Sequence, residues 1–267
     1  MRKAASGIAG ELARIALFEG LGPEALENLA GASSYLEVRS EERIYWQGEI
    51  PNACYQVISG HVRRTLASPE GDEKTIDVMS AGQGFGLVEM FGQAPYVSFA
   101  AATEKSLLLR IGREVIMEAM GANPMLSLRV MAAAADRQAA FERDVAACFF
   151  HSGCRRLIDY LIRQAGAAFD PEGETTFQLP ITKRLIAARI GVSAETLSRS
   201  FRELSEAGLI RVCGREVTLL RKLAARRAAD AVEVHQHAQR QVRDRRCGDR
   251  RTERSSFARP PGSRAWL

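Results

Sequence analysis

Several kinds of residue and segment that mark secreted, membrane and catalytic proteins are scarce or missing. The 267 residues include five cysteines, which are scattered, odd in number and never spaced C-x-x-C, and this disfavours a disulfide framework. No segment approaches the roughly 20 consecutive apolar residues of a membrane helix, and residues 1–10 lack the apolar run of a signal peptide. No nucleophile–base, H-E-x-x-H, P-loop or paired-carboxylate motif is present. We therefore expect a cytoplasmic chain that is not an enzyme and has no membrane partner.

Residues 180–220 are the most informative part of the chain. The segment that begins at Leu179 has the pattern of two short helices joined by a turn. Thr182 is placed to cap the first helix, Gly191 to form the turn, and Ser193 to cap a second helix that extends through Ser205. The predicted buried face of the first helix consists of Ile186, Ala187 and Ile190. In the second helix, the i, i+4, i+7 spacing of one apolar face is made by Leu197, Phe201 and Leu204. The pattern predicts a helix-turn-helix.

Two β-prone segments follow the second helix directly. Leu209–Val212 and Glu216–Leu220 flank Gly214-Arg215, and this arrangement predicts a β-hairpin. The whole is then a winged helix-turn-helix, a unit that places its second helix in the major groove of double-stranded DNA. The alternative is a structural helical hairpin whose charged face is only solvated.

The exposed face of the predicted second helix has side chains suited to reading base edges. Glu195 can accept a hydrogen bond from cytosine N4, Arg199 can donate two to guanine, and Ser198 between them can contact thymine. The alternative for Glu195 and Arg199 is an i,i+4 surface ion pair, which is compatible with DNA binding. Other side chains are better suited to phosphates, which carry no sequence information: Thr182, Lys183, Arg184, Ser193, Thr196, Arg202 and Arg215.

The basic charge of the chain is concentrated at its C-terminal end. Residues 221–267 contain 13 Lys or Arg and 5 Asp or Glu, whereas the rest of the chain contains 24 and 27. This tail has few large apolar residues, which predicts disorder because it cannot bury enough surface to offset its chain entropy. The same charge could also add non-specific, salt-sensitive affinity for DNA.

The N-terminal two-thirds predict a β-rich domain followed by a long helix. Glu11–Gly31 has a helical pattern, and Ser33–Ile111 consists of short strand candidates separated by turns, which suggests a barrel or jelly roll. Asn123 can cap the long helix, with Pro124 at its first position. Spacings of three and four alternate along this helix at Met131, Ala134, Gln138, Phe141, Val145 and Cys148.

This heptad seam predicts that two chains pair in parallel as a homodimer. The alternative is a helix that packs on its own β-domain. A symmetric pair would place two recognition helices about 34 Å apart on one face of DNA, and this favours the dimer.

The order of these elements resembles that of the CRP/FNR family of bacterial transcription regulators, over residues 12–220. Supporting segments are Trp46–Glu49, Ile58–Val62 and Gly214–Thr218. The resemblance implies an α+β fold with an N-terminal cyclic-nucleotide-binding-like β-roll, a long dimerisation helix and a C-terminal winged helix-turn-helix. It also implies that the DNA-bound dimer recruits RNA polymerase. Regulators of enzymes or channels that share the β-roll lack the winged helix-turn-helix.

The predicted domain bounds follow from this resemblance. Residues 12–122 form the sensor roll, 123–150 the dimerisation helix, 151–220 the DNA-binding domain and 221–267 the basic tail. The E-x-x-S-R pattern from Glu195 to Arg199 resembles the FNR branch, and this implies an inverted repeat close to TTGAT-N4-ATCAA.

The nature of the effector is a separate question. By resemblance, the effector pocket would include Gly86, Leu87, Glu89, Val97 and Ser98. Cyclic-nucleotide binders have a glutamate and an arginine where this chain has Leu87 and Val97. A buried phosphate without its arginine would be poorly compensated, so cyclic AMP is disfavoured.

Two metal-containing cofactors can be compared with the sequence. No cysteine precedes Cys54, and this disfavours an N-terminal iron–sulfur cluster. Residues 77–97 resemble the Dnr-type nitric-oxide responders, which implies a haem-based sensor. The candidate haem ligands are His61, His151, Met79 and Met90, although no motif positions any of them. A ligand-independent FixK-like regulator, or one that senses another small molecule, is the alternative.

Overall fold

The computed structural model describes residues 2–92 and 94–223. The predicted basic tail, apart from residues 221–223, lies outside the described residues. Among the helices described, none is both long enough and apolar enough to span a membrane.

The N-terminal segment is broken into three short helices. They are α1 (Arg2–Leu12), a 3₁₀ turn (Ala16–Phe18) and α2 (Pro23–Gly31). The helical pattern predicted over Glu11–Gly31 therefore corresponds to the end of α1, the 3₁₀ turn and α2, with breaks between them. Gly20 has a positive φ of 76°, and Pro23, which has no N–H to donate, begins α2.

Eight strands form the predicted β-roll as two antiparallel four-stranded sheets. The strands are β1 (Ser33–Val38), β2 (Arg43–Tyr45), β3 (Ala53–Ser59), β4 (His61–Ala67), β5 (Glu73–Ser80), β6 (Gly84–Phe85), β7 (Phe99–Ala102) and β8 (Ser106–Gly112). The sheet orders are β1-β8-β3-β6 and β2-β7-β4-β5. A buried cluster with members from all eight strands fills the roll, including Val38, Tyr45, Val57, Val62, Met79, Phe85, Ala100 and Leu108.

Three helices follow the roll: α3 (Arg113–Ala122), α4 (Pro124–Phe150) and α5 (Gly153–Ala165). The predicted cap of the long helix is confirmed, because Asn123 Oδ1 accepts hydrogen bonds from the Met125 and Leu126 N–H groups at 3.0 and 3.2 Å. A second buried cluster joins α1–α4 to residues of β3 and β8 on the first sheet, and it includes Leu12, Phe18, Leu29, Cys54, Ile111, Ile116 and Leu126.

The helix-turn-helix consists of α6 (Lys183–Ile190) and α7 (Ala194–Glu206). The predicted hairpin is confirmed as β10 (Ile210–Cys213) and β11 (Glu216–Leu219), with Cys213 opposite Glu216 and a positive φ of 60° at Gly214. The prediction omitted a third strand of this sheet, β9 (Thr175–Gln178), which lies beside β11, and a 3₁₀ turn (Gly166–Ala168).

The described chain divides into two compact units. The first contains residues 2–164 and 178–203, and the second contains residues 165–177 and 204–223. The roll, α4, α6 and most of α7 thus belong to the first unit, and the hairpin belongs to the second. The predicted domain bounds follow a different criterion and stay predictions.

Candidate nucleic-acid interface and effector cavity

Caps and a left-handed glycine define the geometry of the helix-turn-helix. Thr182 Oγ1 accepts from the Leu185 N–H at 3.4 Å, and Ser193 Oγ accepts from the Thr196 N–H at 3.1 Å. Gly191 has a φ of 71° and ends α6, a conformation that costs glycine little. The predicted buried faces are confirmed, since all six predicted core residues are at least 94% buried: Ile186, Ala187, Ile190, Leu197, Phe201 and Leu204.

The three predicted base-reading residues lie together on the exposed side of α7. Glu195, Ser198 and Arg199 are all exposed, and the neighbouring Leu197 is buried. Ser198 Oγ donates to the Ala194 carbonyl at 2.9 Å. Within the described residues no ion pair within 4.0 Å joins Glu195 to Arg199, and both side chains are exposed to solvent.

The predicted phosphate-binding residues are also exposed, and several have internal contacts. The hydroxyl groups of Ser193 and Thr196 are 2.9 Å apart, and Lys183 Nζ lies 4.9 Å from the centre of the Phe201 ring. In the first unit the exposed members are Thr182, Lys183, Arg184, Ser193, Thr196 and Arg202. Arg215 lies in the hairpin turn of the second unit, where it is exposed.

A network of ion pairs around Arg189 of α6 connects the helix-turn-helix to α4 and β5. Arg189 contacts Asp144 of α4 at 2.7 Å and Asp77 of β5 at 3.4 Å. Asp77 also contacts Arg137 of α4 at 2.5 Å. The sequence did not predict this network because its members are far apart in the chain and no local pattern connects them.

The predicted dimer seam on α4 is largely uncovered. Met131 is 67% exposed and Phe141 is 64% exposed. Gln138, Val145 and Cys148 are exposed as well, and Ala134 is half-buried. The helix therefore presents an apolar strip that the described part of the chain does not cover.

The five predicted effector-pocket residues differ in their exposure. Gly86 and Ser98 are buried, and Leu87 is half-buried. Val97 is 66% exposed, so its side chain lies in solvent. Glu89 contacts Arg64 of β4 at 2.5 Å, a partner that no sequence pattern indicated.

The interior of the roll is occupied by its own side chains. The Tyr45 and Tyr96 rings are stacked with centroids 3.7 Å apart, and the Tyr55 and Phe85 rings are stacked at 5.1 Å. Arg64 is 94% buried beside this aromatic cluster. Burial raises the pKa of Tyr45 to about 12, and the nearby Arg64 guanidinium opposes that rise.

A cavity of about 510 Å³ lies beside the first sheet. The N-terminal segment, β3, β8, the β6 region and α4 line it, and its lining includes Ile15, Leu17, Cys54, Ile58, Leu87 and Ala133. Glu11 and Arg14 are also among the lining residues, and they form an ion pair at 3.1 Å. Burial raises the pKa of the Cys54 thiol to about 12, so this thiol is neutral near pH 7.

None of the four candidate haem ligands lines this cavity. Nδ1 of His61 contacts Glu104, and Nδ1 of His151 lies 3.2 Å from Asp159. Met79 lies in the core of the roll, and Met90 lies in the cluster around α1–α4. Within the described residues, no group of three His, Cys, Asp or Glu side chains is arranged to hold a metal ion.

Comparison with known proteins gives two family matches. Residues 35–123 match the cyclic nucleotide-binding domain family, and residues 155–226 match the Crp-like helix-turn-helix domain family.

Curated relatives match this chain over most of its length, and a solved structure has the same fold. The "Cyclic AMP receptor protein" of Thermus thermophilus is 29% identical over 216 residues, which is 78% of this chain and 96% of that protein. The "Nitrogen fixation regulation protein FixK" of Rhizobium meliloti is 29% identical over 72% of this chain and 83% of that protein. The structure of FixK2 from Bradyrhizobium japonicum shares the fold, with a TM-score of 0.63, 22% identity and coverage of 73% of this chain and 96% of that one.

The order of β-roll, long helix and helix-turn-helix thus agrees with both domain families and with the relatives. The chain belongs to the CRP/FNR family of DNA-binding transcription regulators.

Proposed function

We propose that the chain acts as a homodimer that reads an FNR-type inverted repeat close to TTGAT-N4-ATCAA. The exposed face of α7 is the observation that carries this proposal. Glu195 and Arg199 are one helical turn apart, with Ser198 beside them and no ion pair between the two charges. A carboxylate that accepts from cytosine N4 and a guanidinium that donates two bonds to guanine can then read neighbouring base pairs.

The phosphate contacts set the register of α7 on the duplex without reading its sequence. We assign this role to Thr182, Lys183, Arg184, Ser193, Thr196, Arg202 and Arg215. Their hydroxyl and cationic groups lie on exposed parts of the two units. Each cation that contacts a phosphate adds about 0.9 to the slope of log affinity against log salt concentration.

A matched pair of variants tests the assignment of Arg199. Arg199→Ala should lower affinity for the palindrome by about 1–3 kcal/mol per half-site contact and relax the preference at one base pair. Arg202→Ala on the same helix should weaken binding to the palindrome and to a scrambled duplex equally. Fluorescence anisotropy at several salt concentrations measures both effects. If the double variant Glu195→Ala with Arg199→Ala still discriminated fully between the two duplexes, the proposed base-reading role of these residues would be wrong.

Dimerisation through α4 is part of the same proposal. The exposed apolar strip, with Met131 and Phe141 more than 60% exposed, supports it because water contact with such a strip is unfavourable. In a parallel pair the seam positions would meet their equivalents, including Cys148.

Oxidative cross-linking tests this pairing. Mild oxidation should link two chains through Cys148, and the product should be a dimer on a non-reducing gel. Cys148→Ser should abolish the product, whereas Cys213→Ser, which removes another exposed thiol, should leave it. A monomeric mass in solution together with the absence of cross-linking would contradict the parallel dimer.

We further propose that the bound dimer recruits RNA polymerase and that a signal in the sensor region reorients α7 through α4. In this scheme DNA selects the competent arrangement from an existing equilibrium. The position of α4 between the roll and the helix-turn-helix in the chain supports this route.

Cyclic AMP and an N-terminal iron–sulfur cluster stay disfavoured. Stacked tyrosines lie in the interior of the roll, and Glu89 already pairs with the Arg64 guanidinium there. A haem-mediated response to nitric oxide stays a prediction, but the residues do not fit a coordinated haem in the cavity. The described lining has no His or Met, and its one cysteine is held neutral by burial.

The filled interior favours a second candidate, a FixK-like regulator whose DNA binding needs no ligand inside the roll. The ion pair between Arg64 and Glu89 would then stabilise the roll without a ligand. Palindrome affinity that is unchanged by cyclic AMP, haem or nitric oxide would support this candidate. An increase in affinity with any one of them would count against it.

A further inference from the structure

We infer that the 510 Å³ cavity beside α4 binds a neutral, apolar organic molecule that does not coordinate a metal. This inference deepens the proposed function by giving the sensor region a ligand class. It rests on the proposed function only where it connects ligand binding to the dimerisation helix α4. The site lies between the first sheet and the N-terminal helices, and Tyr55, Val57 and Phe85 of the roll core also contribute to its lining.

The size of the cavity argues against a diatomic gas as its direct occupant. Its volume of about 510 Å³ is more than ten times the ~30 Å³ that a water molecule occupies in the liquid. It lies within the range of roughly 300–1,000 Å³ that is common for organic ligands. It is large enough to accept a molecule with one or two fused rings.

The lining indicates an apolar ligand. Ile15, Leu17, Ile58 and Leu87 are only partly buried and pack around the cluster that contains Cys54. A ligand that covered them would remove their remaining apolar surface from water. Gln56 is half-buried and also lines the cavity, where its amide could form one orienting hydrogen bond.

The charges around the cavity indicate a neutral ligand. Glu11 and Arg14 neutralise each other at 3.1 Å, and Arg14 is exposed. Glu11 and Arg14 are the charged side chains of the described lining, so a charged ligand group placed deeper would lose hydration with little compensation. The raised pKa of Cys54 is consistent with such an uncharged interior.

The position of Ala133 connects the site to α4. Ala133 lines the cavity and is directly followed in sequence by Ala134 of the predicted dimer seam. A bound molecule would therefore touch the same helix that is proposed to pair with its partner.

Two dyes that differ by one sulfonate test the ligand class on the full-length chain. N-phenylnaphthylamine is neutral, whereas anilinonaphthalene sulfonate adds a negative charge to nearly the same ring system. The fluorescence of the neutral dye should rise in a saturable manner with one site per chain, and the sulfonate should bind at least tenfold more weakly. Equal binding of the two dyes would overturn the assignment of a neutral ligand.

Variants that fill the cavity test its location. Ala133→Trp and Leu87→Trp fill it from opposite walls and should each weaken binding of the neutral dye at least tenfold. Ala132→Trp is the matched control, because Ala132 is exposed on the same helix, and it should stay within twofold of the unmodified chain. If Ala133→Trp does not fold, Leu87→Trp decides alone. Absent dye binding, or binding unchanged in the folded filling variants, would overturn the site.

Haem provides the remaining comparison. Added haem should give no stoichiometric complex with a sharp Soret band, and it should compete weakly with the dye. A one-to-one haem complex that Ala133→Trp abolishes would overturn the inference in favour of a haem site. Palindrome binding, measured separately, distinguishes the two proposals, because its loss with intact dye binding would contradict only the DNA-reading function.

Discussion

Arg189→Ala removes the cation that connects the helix-turn-helix to α4 and β5. Arg189 contacts Asp144 at 2.7 Å and Asp77 at 3.4 Å. After the substitution, Asp77 keeps Arg137 at 2.5 Å, but Asp144 keeps only Arg163 at 3.9 Å. The substitution therefore leaves one carboxylate paired and one nearly unpaired.

The expected loss of folding stability follows from the burial of the three charged side chains. The side chains of Asp77, Arg189 and Asp144 are 12%, 21% and 30% exposed. Fully exposed pairs contribute about 0.2–1 kcal/mol, and breaking a buried pair costs about 3–5 kcal/mol. Because Asp77 retains a partner, we expect Arg189→Ala to lower the free energy of unfolding by roughly 1–2 kcal/mol, between those two limits.

Urea denaturation followed by circular dichroism measures this change. Arg184→Ala on the same helix is the matched control, since Arg184 is exposed and has no ion pair within the described residues, and its effect should stay within about 0.5 kcal/mol. The loss caused by Arg189→Ala should shrink between ~0.05 M and ~1 M salt because salt screens partly exposed charges. A loss equal to that of Arg184→Ala at low salt would refute the reasoning.

Three further changes should be measurable. Gly191→Ala should destabilise the chain by roughly 1–2 kcal/mol in thermal melting, because alanine is strained at a φ of 71°, whereas Gly10→Ala, inside α1 with open space around it, should not destabilise it. Asn123→Ala should cost about 0.5–2 kcal/mol through the lost N-cap of α4, whereas Asn123→Asp should retain most of it. Cys54 should alkylate at least ~10-fold more slowly than the exposed Cys213 at pH 7–9, as followed by peptide mass spectrometry, because only the thiolate reacts. Equal alkylation rates would contradict the assigned burial. Because the pKa of Cys54 is raised in the folded chain, its neutral thiol contributes fully to the stability of the fold below about pH 9, and this contribution is lost as the pH rises towards 12.

Predictions that depended on local patterns agree with the structure where the pattern was complete. The caps at Thr182, Asn123 and Ser193 form as expected, since a cap depends on residues within one helical turn. The hairpin around Gly214 forms for the same reason. The helical pattern over Glu11–Gly31 agrees with the helices that cover most of this range, but the apolar spacing did not show the breaks after Leu12 and Phe18.

The residues of the candidate site were also predictable only in part. The exposed face of α7 could be predicted, because the burial of Leu197 leaves Glu195 and Arg199 on the outside of the same helix. The effector-pocket residues stay a prediction. Val97 occupies a position that a ligand-binding residue has in cyclic-nucleotide binders, but its side chain is 66% exposed.

The amino-acid sequence by itself determined the helix-turn-helix, its caps, its outward-facing charges and most of the β-roll strands, because periodicity and capping act over a few neighbouring residues. Only the tertiary structure paired Arg64 with Glu89, joined Arg189 to Asp77 and Asp144, and formed a cavity lined by the N-terminal helices, the first sheet and α4. These features need side chains that are distant in the chain to come within a few ångströms. Chain folding decides that proximity, and no short segment encodes it.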